Sequence, residues 1–221
     1  MARNSRNLNL KKAIYVFWEG ESEEAYVKFL HKQFQEKAVI KYHREKGTFA
    51  TARAWYRSNT KFRNNFDELD ELWFFFDTEI EKAGKWDENW SCLDQMLQSR
   101  PKRNPLIIRL LMTSCCVEYW FLLHFERAAP AMASPSDKER ILQRVKEHIP
   151  SYRKGDELTT AKIGEHYLTA VENGNWVLQL LKADGMPDNV EDRDKWLFQG
   201  THTFTTVHEA IEMLMDLPSL P

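Results

Sequence analysis

Two acidic motifs in this chain each follow a short hydrophobic run. The run Ile14–Trp18 is followed by Glu19. The run Leu72–Phe76 is followed by Asp77 and Glu79. Short apolar runs bounded by polar residues are typical of strands that are buried on both faces of an α/β sheet. Because ligands of such sheets bind beyond the carboxyl ends of the strands, the pattern predicts three carboxylates at one edge, as a Mg²⁺ site requires.

Carboxylates in this arrangement suit the chemistry of phosphoryl transfer. A Mg²⁺ ion held by two or three of them keeps positions for water and substrate, so that it neutralises a phosphate and activates a nucleophile. Gly20 follows Glu19 and is expected to allow a tight backbone turn that points Glu19 into the site. On spacing alone an alternative stays open, in which these acids only end the strands and face water, because motifs this short are weak evidence.

Other catalytic patterns are missing from the sequence. It contains no glycine-rich phosphate loop, which disfavours ATP hydrolysis by this chain. The three cysteines form no disulfide framework, and no cluster of cysteines and histidines has the spacing of zinc ligands. Cys115 and Cys116 have no base nearby in the sequence, and small buried residues beside a strand end explain them better than nucleophiles do.

The acidic motifs are placed by alternating strand and helix patterns. Hydrophobic runs predict strands at Ile14–Trp18, Val39–His43, Leu72–Phe76 and Leu106–Leu111, with helical patterns between them. This alternation predicts right-handed βαβ units and a largely parallel sheet. Ser22 is expected to cap the first helix, whose first turn is acidic.

Beyond residue 127 the pattern is helical. Two capping boxes, Ser136 with Glu139 and Thr206 with Glu209, predict the starts of two helices. We therefore predict an α/β fold with a flexible basic tail at residues 1–12, an α/β core at 13–126 and a helical part at 127–221 that packs on the core as one compact domain.

Four segments of the chain carry a family resemblance when they are taken in order. The four segments are Glu19-Gly20, Asp77-Thr78-Glu79, Met112–Phe125 and Thr205–His208. In the third segment, the residues that match the family signature position for position are Cys116, Glu118, Trp120, Leu122, Leu123, His124 and Phe125. Together these segments resemble RloB-like proteins, whose sheet belongs to a TOPRIM (topoisomerase–primase) type of domain.

Two positions depart from the family pattern. The second acidic motif is usually Asp-Arg-Asp, whereas Glu79 here places its carboxylate one methylene further from the backbone. Ser114-Cys115 replaces the Asn-Pro that usually precedes the signature helix.

The resemblance implies a TOPRIM-like fold and a Mg²⁺-dependent nuclease, with Mn²⁺ as an alternative ion. Its substrates would be phosphodiesters of RNA, tRNA included, or of DNA. It implies Asp77 and Glu79 as metal ligands, and Glu19 as a metal ligand or general acid/base. Because RloB-like proteins are associated with defence against phage, it also implies an abortive-infection effector that a partner ATPase of the ABC or AAA type holds in check.

Two further residues are candidates for the same site. Glu118 lies in the first turn of an otherwise apolar helix, where a buried carboxylate is costly unless it is paired or binds metal. We expect it to hold a second metal or to position water, although an acid at a helix N-terminus is favourable in any case. Lys154 lies near a position that is often lysine in the family and would neutralise a phosphate; an exposed loop lysine is the alternative. His124 cannot share the helix face of Glu118 and is expected to be a hydrogen-bonded core residue.

The net charge of −2 conceals a basic segment. Residues 41–63 contain seven basic residues and one acid, with aromatic residues between them. Cations for phosphates and flat faces for bases are what a nucleic-acid surface needs. The candidate contacts are Arg44, Lys46, Arg53 and Arg57, and a solvated helix face is the alternative.

The sequence has no apolar stretch long enough to span a bilayer and does not begin like a secretory signal, so we expect a cytoplasmic protein without a membrane partner. An alternative function is a catalytically weak TOPRIM scaffold that binds nucleic acid or a nucleotide signal and regulates a partner ATPase. The Asp77-Thr78-Glu79 variant is its main support. The sequence leaves the oligomeric state open.

Overall fold

A four-stranded parallel sheet forms the centre of the chain. The computed structural model describes residues 11–60, 69–100, 105–132 and 134–219. The strands are β1 (Lys12–Trp18), β2 (Ala38–Tyr42), β3 (Glu71–Thr78) and β4 (Ile107–Ser114). They are ordered β2-β1-β3-β4, and every pair is parallel. The predicted α/β fold with a largely parallel sheet is confirmed. The predicted tail at residues 1–12 lies mostly outside the described residues, and β1 already begins at Lys12.

Strand β3 shows why these runs form central strands. Its residues 71–76 are all buried, so side chains on both faces of the strand are covered by helices. The ring of Phe74 stacks on Phe17 from β1 and on Phe49, with ring centroids 5.7 and 5.1 Å apart. A strand with alternating polar residues would have one face exposed to solvent, whereas a continuous apolar run fills a core on both sides of the sheet.

Helices cover both faces of this sheet and form the whole of the C-terminal part that the structure describes, apart from loops. The α-helices are α1 (Glu21–Gln33), α2 (Phe49–Ser58), α3 (Trp86–Leu97), α4 (Val117–Leu122), α5 (Pro135–His148), α6 (Glu157–Gly164), α7 (Tyr167–Ala183), α8 (Val190–Gln199) and α9 (Val207–Asp216). A 3₁₀ helix, Ile80–Lys85, joins β3 to α3. No helix within the described ranges is long and apolar enough to cross a membrane.

The C-terminal part closes against the free edge of β4. Thr205 forms an antiparallel bridge with Thr113. The hydroxyl of Thr206 accepts a hydrogen bond from the Met112 amide at 2.9 Å and donates one to the Leu110 carbonyl at 2.7 Å. Thr206 therefore extends the sheet with its side chain instead of capping α9, so the predicted capping box with its hydroxyl is wrong.

Two other predicted helix caps are also wrong. Helix α5 begins two residues earlier than Ser136 predicts, with a capping box made by Ser134 and Asp137. Gly20 occupies the cap position of α1, and Ser22 lies inside that helix. Its hydroxyl accepts a hydrogen bond from the Gly155 amide at 3.2 Å, a long-range contact that replaces the local one.

Candidate active site at the carboxyl edge

The acids at the strand ends meet in one pocket. The Glu19 amide donates to the Phe75 carbonyl at 3.1 Å, which continues the pairing of β1 with β3 for one more residue. The Glu19 carboxylate then accepts a hydrogen bond from the Asp77 amide at 3.2 Å. Glu118, in the first turn of α4, is only 1% exposed and lines the same pocket, whose volume is about 310 Å³, the scale of a small ligand site. Parallel strand ends therefore bring the predicted acids together.

A carboxylate that the sequence analysis did not assign to the site joins them. Glu23 lies in the first turn of α1, is 4% exposed and lines the pocket beside Glu19 and Asp77. Its four-residue spacing from Glu19 was the available signal, because a helix that starts directly after a strand end turns its first-turn side chains back over that edge.

Gly20 serves this carboxylate rather than a tight turn. Its φ of −135° and ψ of 167° are extended backbone that any residue adopts, so the expected special turn is wrong. A Cβ atom at Gly20 would lie 2.8 Å from Oε2 of Glu23. The absence of a side chain at Gly20 leaves room for the carboxylate of Glu23 in its present position.

The crowding of acids changes their protonation. Burial, followed by the negative charges of Glu118 and Glu19, raises the pKa of Glu23 to about 7. Burial, followed by the charges of Glu23, Glu118 and Glu19, raises the pKa of Asp77 well above its ordinary value. The Oδ1 atom of Asp77 is buried and has no hydrogen-bond partner in the described structure. An unpaired buried carboxylate oxygen beside other acids is a position that a cation would stabilise.

Glu79 has a different environment from Asp77. Nζ of Lys82 lies 2.5 Å from Glu19 and 3.0 Å from Glu79, so one ammonium group bridges the two acidic motifs. Nζ of Lys138 lies 2.5 Å from the other oxygen of Glu79. Burial alone would raise the pKa of Glu79, but hydrogen bonds from Lys138 and Lys82 hold it below its ordinary value. The i, i+3 spacing of Glu79 and Lys82 was a local signal for that ion pair. No local pattern indicated Lys138, which comes from α5, or the contact of Lys82 with Glu19.

Glu118 is held by the loop before α6. The Tyr152 hydroxyl donates to Oε1 of Glu118 at 3.1 Å. Nζ of Lys154 lies 3.3 Å from Oε2 of Glu118, although 58% of the lysine side chain is exposed. Lys154 therefore lies in the pocket, as a phosphate-binding lysine would, and is also exposed to solvent, as a loop lysine would be. The charge pair explains how Glu118 tolerates burial.

A family model described as RloB-like protein matches residues 14–214. The chain belongs to the RloB-like family. The match confirms the resemblance that the four segments indicated. No curated protein and no solved structure matches the chain.

The pocket of this RloB-like chain has the donor chemistry of a Mg²⁺ or Mn²⁺ site. Its donors are carboxylate oxygens, which these hard ions prefer, and Asp77 presents a buried oxygen without a partner. As arranged, no three His, Cys, Asp or Glu side chains among the described residues are placed to hold a metal ion together. The donor atoms are of the type that these ions bind. The side chains around Asp77 would have to move closer together to coordinate one ion.

The same fold separates the basic candidates of this RloB-like chain. Arg44 and Lys46 are exposed in the loop between β2 and α2, where the Gly47 amide donates to the Trp18 carbonyl at 2.9 Å, next to the acidic edge. Helix α2 then runs away from that edge. Near its end the guanidinium of Arg57 donates to Gln95 of α3 at 2.8 Å.

Arg53 lies one helical turn before Arg57 on α2, and both line a cavity with Gln95. The hydroxyl of Tyr56, between them, accepts a hydrogen bond from Arg100, which also donates to the Leu69 carbonyl just before β3. The end of α2 thus lies at the amino edge of the sheet. Residues 61–63 of the basic segment lie outside the described part.

The turn after α4 contains a buried histidine that the pocket does not use. Nδ1 of His124 donates to the Trp120 carbonyl at 2.9 Å, and Nε2 accepts from the Tyr26 hydroxyl at 3.0 Å. Burial lowers the pKa of His124 to about 3, so the ring is neutral. The expectation of a hydrogen-bonded core histidine is confirmed.

Proposed function

We propose that this chain is a divalent-cation-dependent nuclease that hydrolyses phosphodiester bonds of RNA, tRNA included, or of DNA. The observation that carries the proposal is the Oδ1 atom of Asp77, which is buried without a hydrogen-bond partner in a pocket of further carboxylates. Membership of the RloB-like family supports the same chemistry.

The pocket residues differ in role. Asp77, Glu19 and Glu118 would hold one or two Mg²⁺ or Mn²⁺ ions. When bound, such an ion supplies charge neutralisation for the phosphodiester and a more acidic water. Glu79 is assigned a supporting role, because Lys82 and Lys138 already occupy its oxygens.

Proton transfer and phosphate binding are assigned to Glu23 and Lys154. A carboxyl group with a pKa of about 7 exchanges a proton efficiently near neutral pH, which suits a general acid or base. The ammonium group of Lys154 lies at the rim of the pocket and can pair with a phosphate oxygen while Tyr152 keeps Glu118 in place.

The family resemblance extends the proposal to the cell. We place the chain among effectors of defence against phage, with a toxic activity that a partner ATPase of the ABC or AAA type restrains. Expression of the parent chain is then expected to arrest bacterial growth, whereas the Asp77→Asn variant is expected to be tolerated.

Purified protein tests the chemistry. The parent is expected to cleave at least one of tRNA, single-stranded RNA, single-stranded DNA or duplex DNA with Mg²⁺ or Mn²⁺, and EDTA is expected to stop it. Asp77→Asn should lower the rate by at least about two orders of magnitude, the scale on which a single catalytic group acts. Asp87→Asn is the matched control, because the Asp87 side chain is 86% exposed. Cleavage that survives both EDTA and Asp77→Asn would exclude the proposal.

A scaffold that binds nucleic acid or a nucleotide signal is the second candidate. The two lysines on Glu79 favour it, because they neutralise that carboxylate without a metal. This candidate predicts binding without cleavage by any metal, and a cellular effect that Asp77→Asn leaves intact.

A further inference from the structure

A second pocket adjoins the acidic one at the same edge of the sheet. It has a volume of about 270 Å³ and shares Glu79 with the acidic pocket, so the two are neighbours across one side chain. Its walls come from the ends of β3 and β4, the start of α5 and the loop before α9. At the end of β4, Cys115 has a φ of 70°, in the left-handed region, and its half-buried side chain faces this pocket.

One wall of this pocket is a flat aromatic surface. The His202 ring stacks on Trp196 with centroids 3.7 Å apart and planes inclined by 17°. Burial lowers the pKa of His202, so the ring is neutral at physiological pH. A Cβ at Gly200 would lie 2.4 Å from the His202 ring, so the glycine is what allows the imidazole to lie there.

The remaining walls combine apolar and polar groups. Met132 is buried and supplies apolar surface, while Ser134 and Thr201 add hydroxyl groups. Lys138 lies at the boundary with the acidic pocket, where its ammonium group pairs with Glu79. A flat ring, apolar surface, hydroxyl groups and a cation beside a candidate phosphate site are together the surroundings that a nucleoside requires.

We propose that this second pocket binds the nucleoside next to the scissile phosphate, an inference that rests on the function proposed above. Its volume of about 270 Å³ is on the scale of one base with its sugar. Because a base can enter such a pocket only when it is unpaired, the nucleic acid binds single-stranded, or with one base turned out of its helix. His202 stacks on that base, and Lys138 faces the adjoining phosphate.

Binding of nucleoside 5′-monophosphates tests this inference separately from cleavage. These ligands contain no phosphodiester bond, so they remain intact whether or not the protein is a nuclease. Their affinity is measured by calorimetry with and without Mg²⁺. His202→Ala removes the stacking ring and should weaken binding roughly tenfold, as loss of one base–aromatic stack does. His202→Phe keeps a flat ring and should retain most of the affinity. Thr201→Trp, at an exposed position on the rim, should fill the pocket and abolish binding.

His166→Ala is the matched control, because His166 is exposed and lies outside both pockets. Equal affinity in the parent, His202→Ala and Thr201→Trp proteins would overturn the inference, and the nuclease proposal would stand if the parent still cleaves. In the reverse result, the parent cleaves no nucleic acid but binds monophosphates, and both variants lose that binding. This result would support the nucleotide pocket, reject the nuclease proposal and favour the scaffold. Thermal melting of each variant separates a local loss of binding from misfolding.

Discussion

At the scale of single residues, charge balance is what distinguishes this pocket. The carboxylates outnumber the cations around Asp77, while Glu79 is paired by Lys82 and Lys138. Two acids that are separated by a single residue in the sequence thus have opposite pKa shifts. The cause is their surroundings, because burial and other carboxylates raise the pKa of Asp77, whereas hydrogen bonds from two lysines lower that of Glu79.

Glu23 should make the stability of the protein depend on pH. Folding raises its pKa from 4.5 to about 7, so the folded state binds the proton more tightly than the unfolded state between those values. The group therefore lowers stability progressively as the pH rises through that window, and it has no effect below it. Glu23→Gln is expected to be more stable than the parent at pH 8, by up to about 3 kcal/mol, and equal to it at pH 4.

Urea unfolding between pH 4 and pH 8 measures this difference. Glu36→Gln is the control, because Glu36 is exposed and its replacement should leave the pH profile unchanged. A difference between Glu23→Gln and the parent that does not vary with pH would show that Glu23 is not buried as a shifted acid.

Lys82 should compete with a divalent cation for the acidic pocket. Its ammonium group bridges Glu19 and Glu79, so Lys82→Met leaves both carboxylates without that counter-charge. We expect the affinity for Mn²⁺ to rise about tenfold, the equivalent of about 1.4 kcal/mol. Electron paramagnetic resonance of free Mn²⁺ measures it, and Lys85→Met, at an exposed position of the same 3₁₀ helix, is the control. A fall in affinity would mean that Lys82 positions the acids instead.

At the scale of elements, one strand edge ties the C-terminal part to the sheet. The segment before α9 completes β4 through Thr205 and Thr206, and α9 packs against the same strand. The ends of β4 and of this segment also form walls of the second pocket. Attachment of the C-terminal part and the shape of the candidate substrate site therefore depend on the same contacts.

Thr206→Val should destabilise the protein more than the small change in side-chain volume suggests. Valine has the same shape, but it leaves the Met112 amide without its acceptor and the Leu110 carbonyl without its donor. Loss of a partner for buried polar groups costs about 1 to 3 kcal/mol each. Thr206→Ser keeps the hydroxyl and should lose less stability, and chemical denaturation compares the two variants. Equal losses of stability would assign the effect to packing.

At the scale of the whole molecule, the sheet separates the candidate basic residues between its two edges. Arg44 and Lys46 lie near the acidic pocket at the carboxyl edge, whereas Arg57 lies where α2 reaches the amino edge. A nucleic-acid strand that reaches the acidic pocket would pass Arg44 and Lys46. It would not pass the arginines of α2. The basic segment, continuous in sequence, is divided in space.

Salt dependence of nucleic-acid binding tests this division. Arg44→Glu combined with Lys46→Glu should lower the slope of log K against log salt by about two, because each lost phosphate contact lowers it by about one. Arg53→Glu combined with Arg57→Glu should leave the slope unchanged. The opposite pattern would mean that the nucleic acid follows the surface of α2. Filter binding at four salt concentrations is sufficient.

Local sequence patterns were sufficient to predict the sheet and the acids that first indicated the site. Continuous apolar runs are local signals of doubly buried strands, and parallel strands necessarily bring their carboxyl ends, here Glu19 and Asp77, to one edge. Helix caps were predicted less well, because hydroxyl groups such as those of Ser22 and Thr206 bind distant backbone instead of the nearest helix.

Most partners of those acids come from distant parts of the chain, so they depend on tertiary packing. Lys138 reaches Glu79 from α5. Lys82 reaches Glu19 across 63 residues, and Lys154 reaches Glu118 across 36 residues. The second pocket likewise joins the end of β4 to residues 200–202. No local periodicity encodes such contacts, because they depend on where helices pack and on which way each side chain points once the chain has closed.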